Sequence, residues 1–319
     1  STDVSDAAGS WLLDQKRRQW SRRSISACRA DNLTFPEVFE SAQPTGVLHT
    51  ELANRWALPK GVIIAAGAGD VASGCMGIGA VDGKRGLISL GTSAQVVLSS
   101  NVFEPKTKNL AHTFCHALPD TWIQMAAMLN GTSVLDTVSC WIGESDIATM
   151  IAAAEKQFDG PGKLLALPYL SGERTPHNDA EIQGSITGVC ADTTTDDLTR
   201  AVLEGVAFAL RDCFDALAAT EAKMDNLIAI GGGTASRYWL DLIATVLDVP
   251  LQLPDGGEFG AALGAARLGM VAATQEPFDR IIFAPVIRET IEPNSDMQDI
   301  FKTSHHAFKA AYPGIKAIQ

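Results

Sequence analysis

The sequence predicts an α/β protein built on a mixed β-sheet flanked by helices. Three observations carry that reading. Short apolar, β-prone runs alternate with stretches of helical period. Three of those runs end in glycine-rich turns. Apolar residues make up 46% of the 319 and charged residues 19%, which is enough apolar material for a sizeable core. The length sets a soft expectation of two domains.

Each element follows from its own residues. Ser5 reads as the N-cap of a first helix through Ala7, Ala8, Trp11 and Leu12, with Asp6 at its positive end. Short helices are expected near Ser21 and over residues 50–56. Residues 62–66 form an apolar strand broken by Gly67-Ala68-Gly69-Asp70, and the small residues of 74–79 suit a closely packed helix. Residues 87–90 and 94–99 read as a hairpin around Gly91-Thr92-Ser93. Helices are expected over 130–141, opening at Gly131-Thr132-Ser133, and over 147–158. The longest covers 197–220, with Leu198, Val202, Ala209, Phe214 and Leu217 on or near one face. The strand 227–230 runs into Gly231-Gly232-Gly233. Ser236 then caps a helix reaching Leu247, and 258–272 is a helix of small residues.

Composition narrows the function. A net charge of −12, from 37 acids against 25 bases, argues against a nucleic-acid binder. The basic cluster Lys16, Arg17, Arg18, Arg22 and Arg23 reads as a solvated helix face. No run of 18 apolar residues suggests a membrane-spanning helix. The six cysteines are scattered without a Cys-x-x-Cys pair and read as reduced, mostly buried thiols, so a cytoplasmic location is expected. The polar start carries no secretory pattern and no initiating Met, so the chain reads as processed or truncated.

The glycine turns are the first candidates for chemistry. A strand–glycine–helix junction offers backbone N–H groups at a positive helix end, which suits a phosphate. One such turn is ordinary in an α/β protein; three favour a nucleotide. None fits the P-loop or the dinucleotide fingerprint. Asp70 has two readings. A carboxylate there can take a proton from a hydroxyl attacking phosphorus, or it can cap the helix that follows; spacing alone favours the cap. His112, Cys115 and His116 lack a fourth ligand at useful spacing, so a structural role is expected rather than zinc. Glu173 and Arg174 sit in the polar stretch 171–177, which reads by default as a surface loop.

In combination these pieces become specific. Thr2-Asp3-Val4-Ser5-Asp6-Ala7-Ala8-Gly9, Gly67-Ala68-Gly69-Asp70, Leu90-Gly91-Thr92-Ser93, Phe114-Cys115-His116-Ala117-Leu118-Pro119 and Ser171-Gly172-Glu173-Arg174-Thr175-Pro176-His177 resemble, in order, the FGGY family of carbohydrate kinases. Gly184 to Glu204, Gly231-Gly232-Gly233 and the Gly260-Ala261-Ala262 helix extend the match over nearly the whole chain. Bacterial xylulokinases are the nearest branch. The resemblance implies an actin-like ATPase (ribonuclease H-like) fold with the second domain complete and the first partial. Residues 1–80 would be the end of the first domain and 81–285 the nucleotide-binding second domain. Residues 286–319 would be a C-terminal helical segment packing back on the first. It implies ATP and Mg²⁺, and transfer of the γ-phosphoryl group to a ketopentose such as D-xylulose. Asp70 matches the catalytic base. Gly91 and Thr92 match a phosphate loop, Gly131 a nucleotide-contacting glycine, and Gly232, Gly233 and Arg237 the adenosine side. No metal ligand is assigned, and a homodimer is left open.

Two departures stand out. The family's first half, with its own phosphate loop, has no counterpart here, so a non-catalytic nucleotide-binding fragment is the alternative. Exposed apolar surface is expected on the first-domain part. Val71 replaces the amide side chain that xylulokinases usually carry after the base, so another sugar or polyol is also open.

Overall fold

The computed structural model describes residues 1–81, 85–105, 107–217, 224–256 and 260–319. The first part is made of β1 (Thr2–Asp3), α1 (Val4–Ala8), β2 (Leu13–Asp14), β3 (Gln19–Trp20), α2 (Arg22–Ala27) and β4 (Val38–Phe39), followed by β5 (Pro44–Val47), α3 (Thr50–Arg55), β6 (Ile63–Ala65) and α4 (Asp70–Ile78). Its strands pair two by two, β1 with β4, β2 with β3 and β5 with β6. Leu33, Val47, Trp56, Leu58 and Ile64 face solvent, the uncovered apolar surface expected there.

Asp3, not Ser5, caps α1. Its carboxylate accepts the Ser5 and Asp6 N–H groups at 2.8 and 3.1 Å, and the Ser5 and Ser41 hydroxyls at 2.6 and 2.7 Å. Two carboxylate oxygens take four donors where a serine hydroxyl would take one or two, so the helix starts earlier and ends before Trp11. The basic cluster also differs from expectation. It spans the β2–β3 turn and the start of α2, so it forms no single helix face. Arg18 turns inward and pairs with Glu40 at 2.6 Å. It also donates to the His116 and Thr121 carbonyls at 3.0 and 3.1 Å. A buried guanidinium persists only when its N–H groups are matched in this way.

The second part contains β7 (Arg85–Leu90), β8 (Ala94–Ser100), β9 (His112–Cys115), β10 (Trp122–Met128), α5 (Ser133–Ile142) and α6 (Ile147–Lys156). Then come β11 (Leu165–Leu167), β12 (Ser185–Thr187), α7 (Thr195–Leu217), β13 (Asn226–Ile230) and α8 (Arg237–Leu247). It ends with β14 (Leu251–Pro254), α9 (Gly260–Thr274), α10 (Phe278–Ile281), β15 (Ile287–Ile291) and α11 (Gln298–Lys316). Residues 218–220 and 258–259 of two expected helices lie outside the described residues.

A seven-stranded sheet runs β15-β14-β13-β7-β8-β10-β9. β7, β13 and β14 are parallel neighbours and the other pairings are antiparallel, so the sheet is mixed. Both faces are buried, which is why its strands read as continuous apolar runs. Ile88, Val96, Ala126 and Leu227 point into one core with α7 and α8. Leu87, Val97, Ile123 and Ile228 point into a second with α4 and α9. α4 and α9 meet through glycine. A Cβ at Gly77 would overlap the Gly260 carbonyl, and one at Gly264 the Ser73 carbonyl.

The C-terminal helix does not pack on the first part as expected. α11 lies against α7, α8 and β11. Phe301 and Phe308 are buried beside Phe208 and Tyr169, and His305 bonds Asp212 at 2.7 Å. Its residues 301, 305, 308 and 312 make one aromatic stripe at helical spacing, and the matching aromatic surface belongs to the second part. Among the described residues no helix is long and apolar enough to cross a membrane.

Candidate functional site

β7 and β13 end side by side, and each runs into a glycine turn, Gly91-Thr92-Ser93 and Gly231-Gly232-Gly233. Ligands of open α/β sheets sit beyond the carboxyl ends of such strands. Gly231 has φ +98°, and a Cβ there would lie 2.6 Å from the Leu90 carbonyl oxygen, so glycine lets the two turns touch. The Gly131-Thr132-Ser133 opening of α5 closes on the first turn. The Gly131 N–H donates to the Thr92 carbonyl at 3.0 Å and the Thr132 N–H to the Gly91 carbonyl at 2.8 Å. The Ser133 hydroxyl donates to the same Thr92 carbonyl at 2.8 Å. The N–H groups expected to stand free where α5 opens are therefore engaged with Gly91 and Thr92, and the two turns form one braced unit.

Beside this unit lies a cleft of 490 Å³ between α5, α6 and α8. Gly232, Gly233 and Arg237 line it. Gly91, Thr92 and Gly131 do not, but their neighbour Thr132 does. Gly232 faces open space, whereas Gly233 packs under Leu90 and Trp239. Arg237 is held at the rim by Asp241, at 3.0 Å, and by Glu289. Asp136, Ile151, Glu155 and Tyr238 also line the cleft and carried no signal in the sequence, being scattered on helix faces that read as ordinary amphipathic surface.

Asp70 is the first residue of α4, and Gly69 holds the cap position. Its Oδ1 accepts only the adjacent Val71 N–H, at 2.7 Å, so the carboxylate is exposed and the capping role favoured by spacing is not taken up. It lines a hollow of 220 Å³ with Ser5, Asp6, Val71, Phe114 and Met125. Asp6 is a second exposed carboxylate there, and its only sequence cue was its place in a helix start. The Ser5 hydroxyl fixes the loop by accepting the Gly69 N–H at 2.9 Å while donating to Asp3. No residue lines both this hollow and the cleft.

His112, Cys115 and His116 do not converge. His112 stacks on Phe114, and the Cys115 thiol donates to the Gln15 carbonyl at 3.4 Å. His116 Nδ1 accepts the Leu118 N–H at 3.2 Å, and burial pushes its pKa down to about 4, which keeps it neutral. Among the described residues the one trio with metal-like spacing is Asp212, Asp215 and His305. The stretch 171–177 is no surface loop either. Glu173 and Thr175 are buried, and burial pushes the Glu173 carboxyl up to about 7 against the pull of its hydrogen-bond donors.

Comparison with known proteins adds to this geometry. Residues 1–77 match the N-terminal domain of the FGGY family of carbohydrate kinases and residues 86–273 its C-terminal domain. The xylulose kinase of Escherichia coli (strain K12) is 40% identical over 276 residues, 86% of this chain and 57% of that protein. The xylulose kinase of Staphylococcus epidermidis is 31% identical over 323 residues, 99% of this chain and 64% of that one. The solved structure of a xyloylose kinase from Brucella ovis superposes with a TM-score of 0.95 at 40% identity, covering 100% of this chain and 66% of that one. The chain thus spans between 57% and 66% of the length of these proteins. The shared architecture is the actin-like ATPase fold. Matched in order by both domain models over most of its length, the chain belongs to the FGGY family of carbohydrate kinases.

Proposed function

We propose that this chain is the nucleotide-binding and base-bearing part of an ATP-dependent sugar kinase, with a ketopentose such as D-xylulose as phosphoryl acceptor. The observation that carries the reading is the convergence of two of the three glycine turns, at Gly91 and Gly231, with the Gly131 opening of α5 at the carboxyl ends of β7 and β13, beside a cleft of 490 Å³; the third turn, Gly67–Asp70, lies at the separate hollow. Adenosine fits the cleft, with Gly232 as its open floor and Arg237 at its rim. The phosphates lie toward the turn of Gly91 and Thr92, which Gly131 braces with its own N–H engaged on the Thr92 carbonyl. Asp70 takes the proton of the attacking hydroxyl, and its exposed carboxylate has no ion-pair partner among the described residues to release first.

The donor set suits Mg²⁺, which binds through one or two carboxylates together with phosphate oxygens and water. Asp6 and Asp70 are the exposed carboxylates of the hollow. When bound, the ion neutralises charge on the phosphates. The Val71 side chain offers a sugar no hydrogen bond, so recognition of hydroxyls in this hollow falls to Asp6, to Asp70 and to groups outside it. Six free cysteines, three of them exposed, suit a reducing cytoplasm.

The separation of hollow and cleft favours one second reading, a nucleotide-binding fragment that turns over only with further residues. Sugar-dependent ADP release from Mg-ATP, over a panel led by D-xylulose, tests both. The kinase reading expects release that needs a sugar and disappears in Asp70→Ala while ATP binding stays. Normal turnover by Asp70→Ala would sink the assignment of the base. ATP binding without release in the unaltered chain would select the second reading.

A further inference from the structure

The stretch 171–177, with Gly172, Glu173 and Thr175 buried and Ser171 and Arg174 exposed, has no part in the cleft or the hollow, yet it grips the residues that lead into α5. Glu173 is 2% exposed and Asn130 1%. Glu173 Oε1 accepts the Leu129 N–H at 2.8 Å and the Arg174 N–H at 2.7 Å, while Oε2 accepts from Asn130 Nδ2 at 3.3 Å. The Asn130 amide is fixed in turn. Its Nδ2 also donates to the Gly172 carbonyl at 2.7 Å, and its Oδ1 accepts the Ser171 N–H at 3.2 Å. The next bonds along the chain are those of Gly131 and Thr132 to the Thr92 and Gly91 carbonyls. A continuous hydrogen-bonded path therefore runs from one buried carboxylate to the turn between β7 and β8.

We infer that Glu173, acting through Asn130, is a positioning residue for the phosphate-binding turn. It fixes residues 129–131 so that Gly131 and Thr132 hold Gly91 and Thr92 at the distance a nucleotide phosphate needs. The role rests on the reading of that turn as the phosphate site. Burying a carboxylate is a costly way to fill space, and packing alone would be served by an apolar side chain. What the carboxylate adds is two acceptor oxygens aimed at three donors, two of which belong to residues 129 and 130. The loop has other anchors that do not depend on it. The main chains of Glu173 and Asp179 exchange hydrogen bonds at 2.8 Å, and the Thr175 N–H donates to the Ala127 carbonyl at 3.1 Å. A change at Glu173 therefore acts on the grip more than on the loop.

Glu173→Gln keeps the shape and an acceptor for Leu129, but turns an amide donor toward Asn130 Nδ2. Asn130→Ala breaks the link from the other side. Calorimetry with Mg-ADP and with adenosine, on the unaltered chain, each variant and the pair, tests the role. Mg-ADP affinity is expected to fall about tenfold in either single variant, the effect of one hydrogen bond to a charged group. The double variant should fall little further, because both changes cut one path. Adenosine carries no phosphate, and its affinity should stay within about twofold of the unaltered chain, since Gly91 and Thr92 do not line the cleft it occupies. Unchanged Mg-ADP affinity in a folded Glu173→Gln chain would overturn the role. So would an equal loss for adenosine, which would mark a general loosening of the cleft. If the unaltered chain binds adenosine but gains nothing from the phosphates, the phosphate reading fails, and the positioning role with it.

Discussion

Gly131 and Gly232 look alike in the sequence, since both sit in small-residue turns and both match nucleotide-contacting positions of the family. Space separates them. A Cβ on Gly131 would overlap the Gly91 carbonyl and crowd Ser93, whereas a Cβ on Gly232 would meet nothing within 4 Å. Gly131→Ala should therefore push two backbone segments apart, costing about 1–3 kcal/mol as overpacking does, and Mg-ADP binding should weaken with it. Gly232→Ala should leave the melting temperature nearly unchanged, because surface changes away from special backbone usually stay within about 0.5 kcal/mol. Any loss there should appear in nucleotide affinity alone. Paired melts and titrations would check the contrast, and a Gly232→Ala chain destabilised as much as Gly131→Ala would contradict it. Neither outcome could be read from spacing, because the atom that crowds Gly131 lies about 40 residues away in the chain. Asp70 shows the same limit from the other side. Local spacing favoured a cap, and only the geometry shows Gly69 in that position with the carboxylate turned to solvent.

Elements were more legible than their partners. The hairpin around Gly91-Thr92-Ser93, the short helix near Ser21, the Ser236 cap and the long helix α7 all follow from local chemistry and are present. The pairing of β7 with β13 is a contact between strands well over 100 residues apart, and nothing local specifies it. The stretch 171–177 misled for a related reason. Its polar residues suit a surface, but their hydrogen-bond partners come from Ala127, Leu129 and Asn130 and take them inside. The small residues of α4 and α9 sit between these cases. Their density predicted close packing, and the structure shows with what. At Gly264 a Cβ would overlap the Ser73 carbonyl, and the Ser73 hydroxyl bonds the Ala261 carbonyl at 2.8 Å. Gly264→Ala should force α4 away from α9 and cost at least about 2 kcal/mol. Because α4 carries Asp70, the proposed turnover should suffer, while the cleft proposed for adenosine, on the opposite face of the sheet, keeps its Mg-ADP affinity. An equal loss of both would show that the two faces are not independent.

The position of α11 decides what holds the molecule together. The resemblance implied that the C-terminal segment packs back on the first part. The aromatic stripe decides otherwise. Phe301 and Phe308 are 1% exposed and fill a core with Phe208 and Tyr169, and His177 stacks on Tyr312. The first part is therefore joined to the second through other contacts, chiefly α4 on α9, α1 on β9 and the inward Arg18. This arrangement places α11 in the core of the second part. It also sets apart two changes in one helix. Phe308→Ala removes a fully buried ring and should cost about 3–5 kcal/mol, enough to unfold a marginal domain. Lys316→Ala breaks an ion pair with Asp179, but the lysine side chain is 56% exposed and the Tyr312 hydroxyl still donates to the same carboxylate at 2.7 Å, so the melting temperature should stay almost unmoved. Hydrogen exchange locates the damage. In Phe308→Ala, protection should fall first in α11, α7 and the stretch 171–177, with α1 and the loop before Asp70 unaffected until the whole chain unfolds. Early loss of protection in α1 would mean that α11 supports the first part after all, and that the two parts are more tightly joined than their contacts indicate.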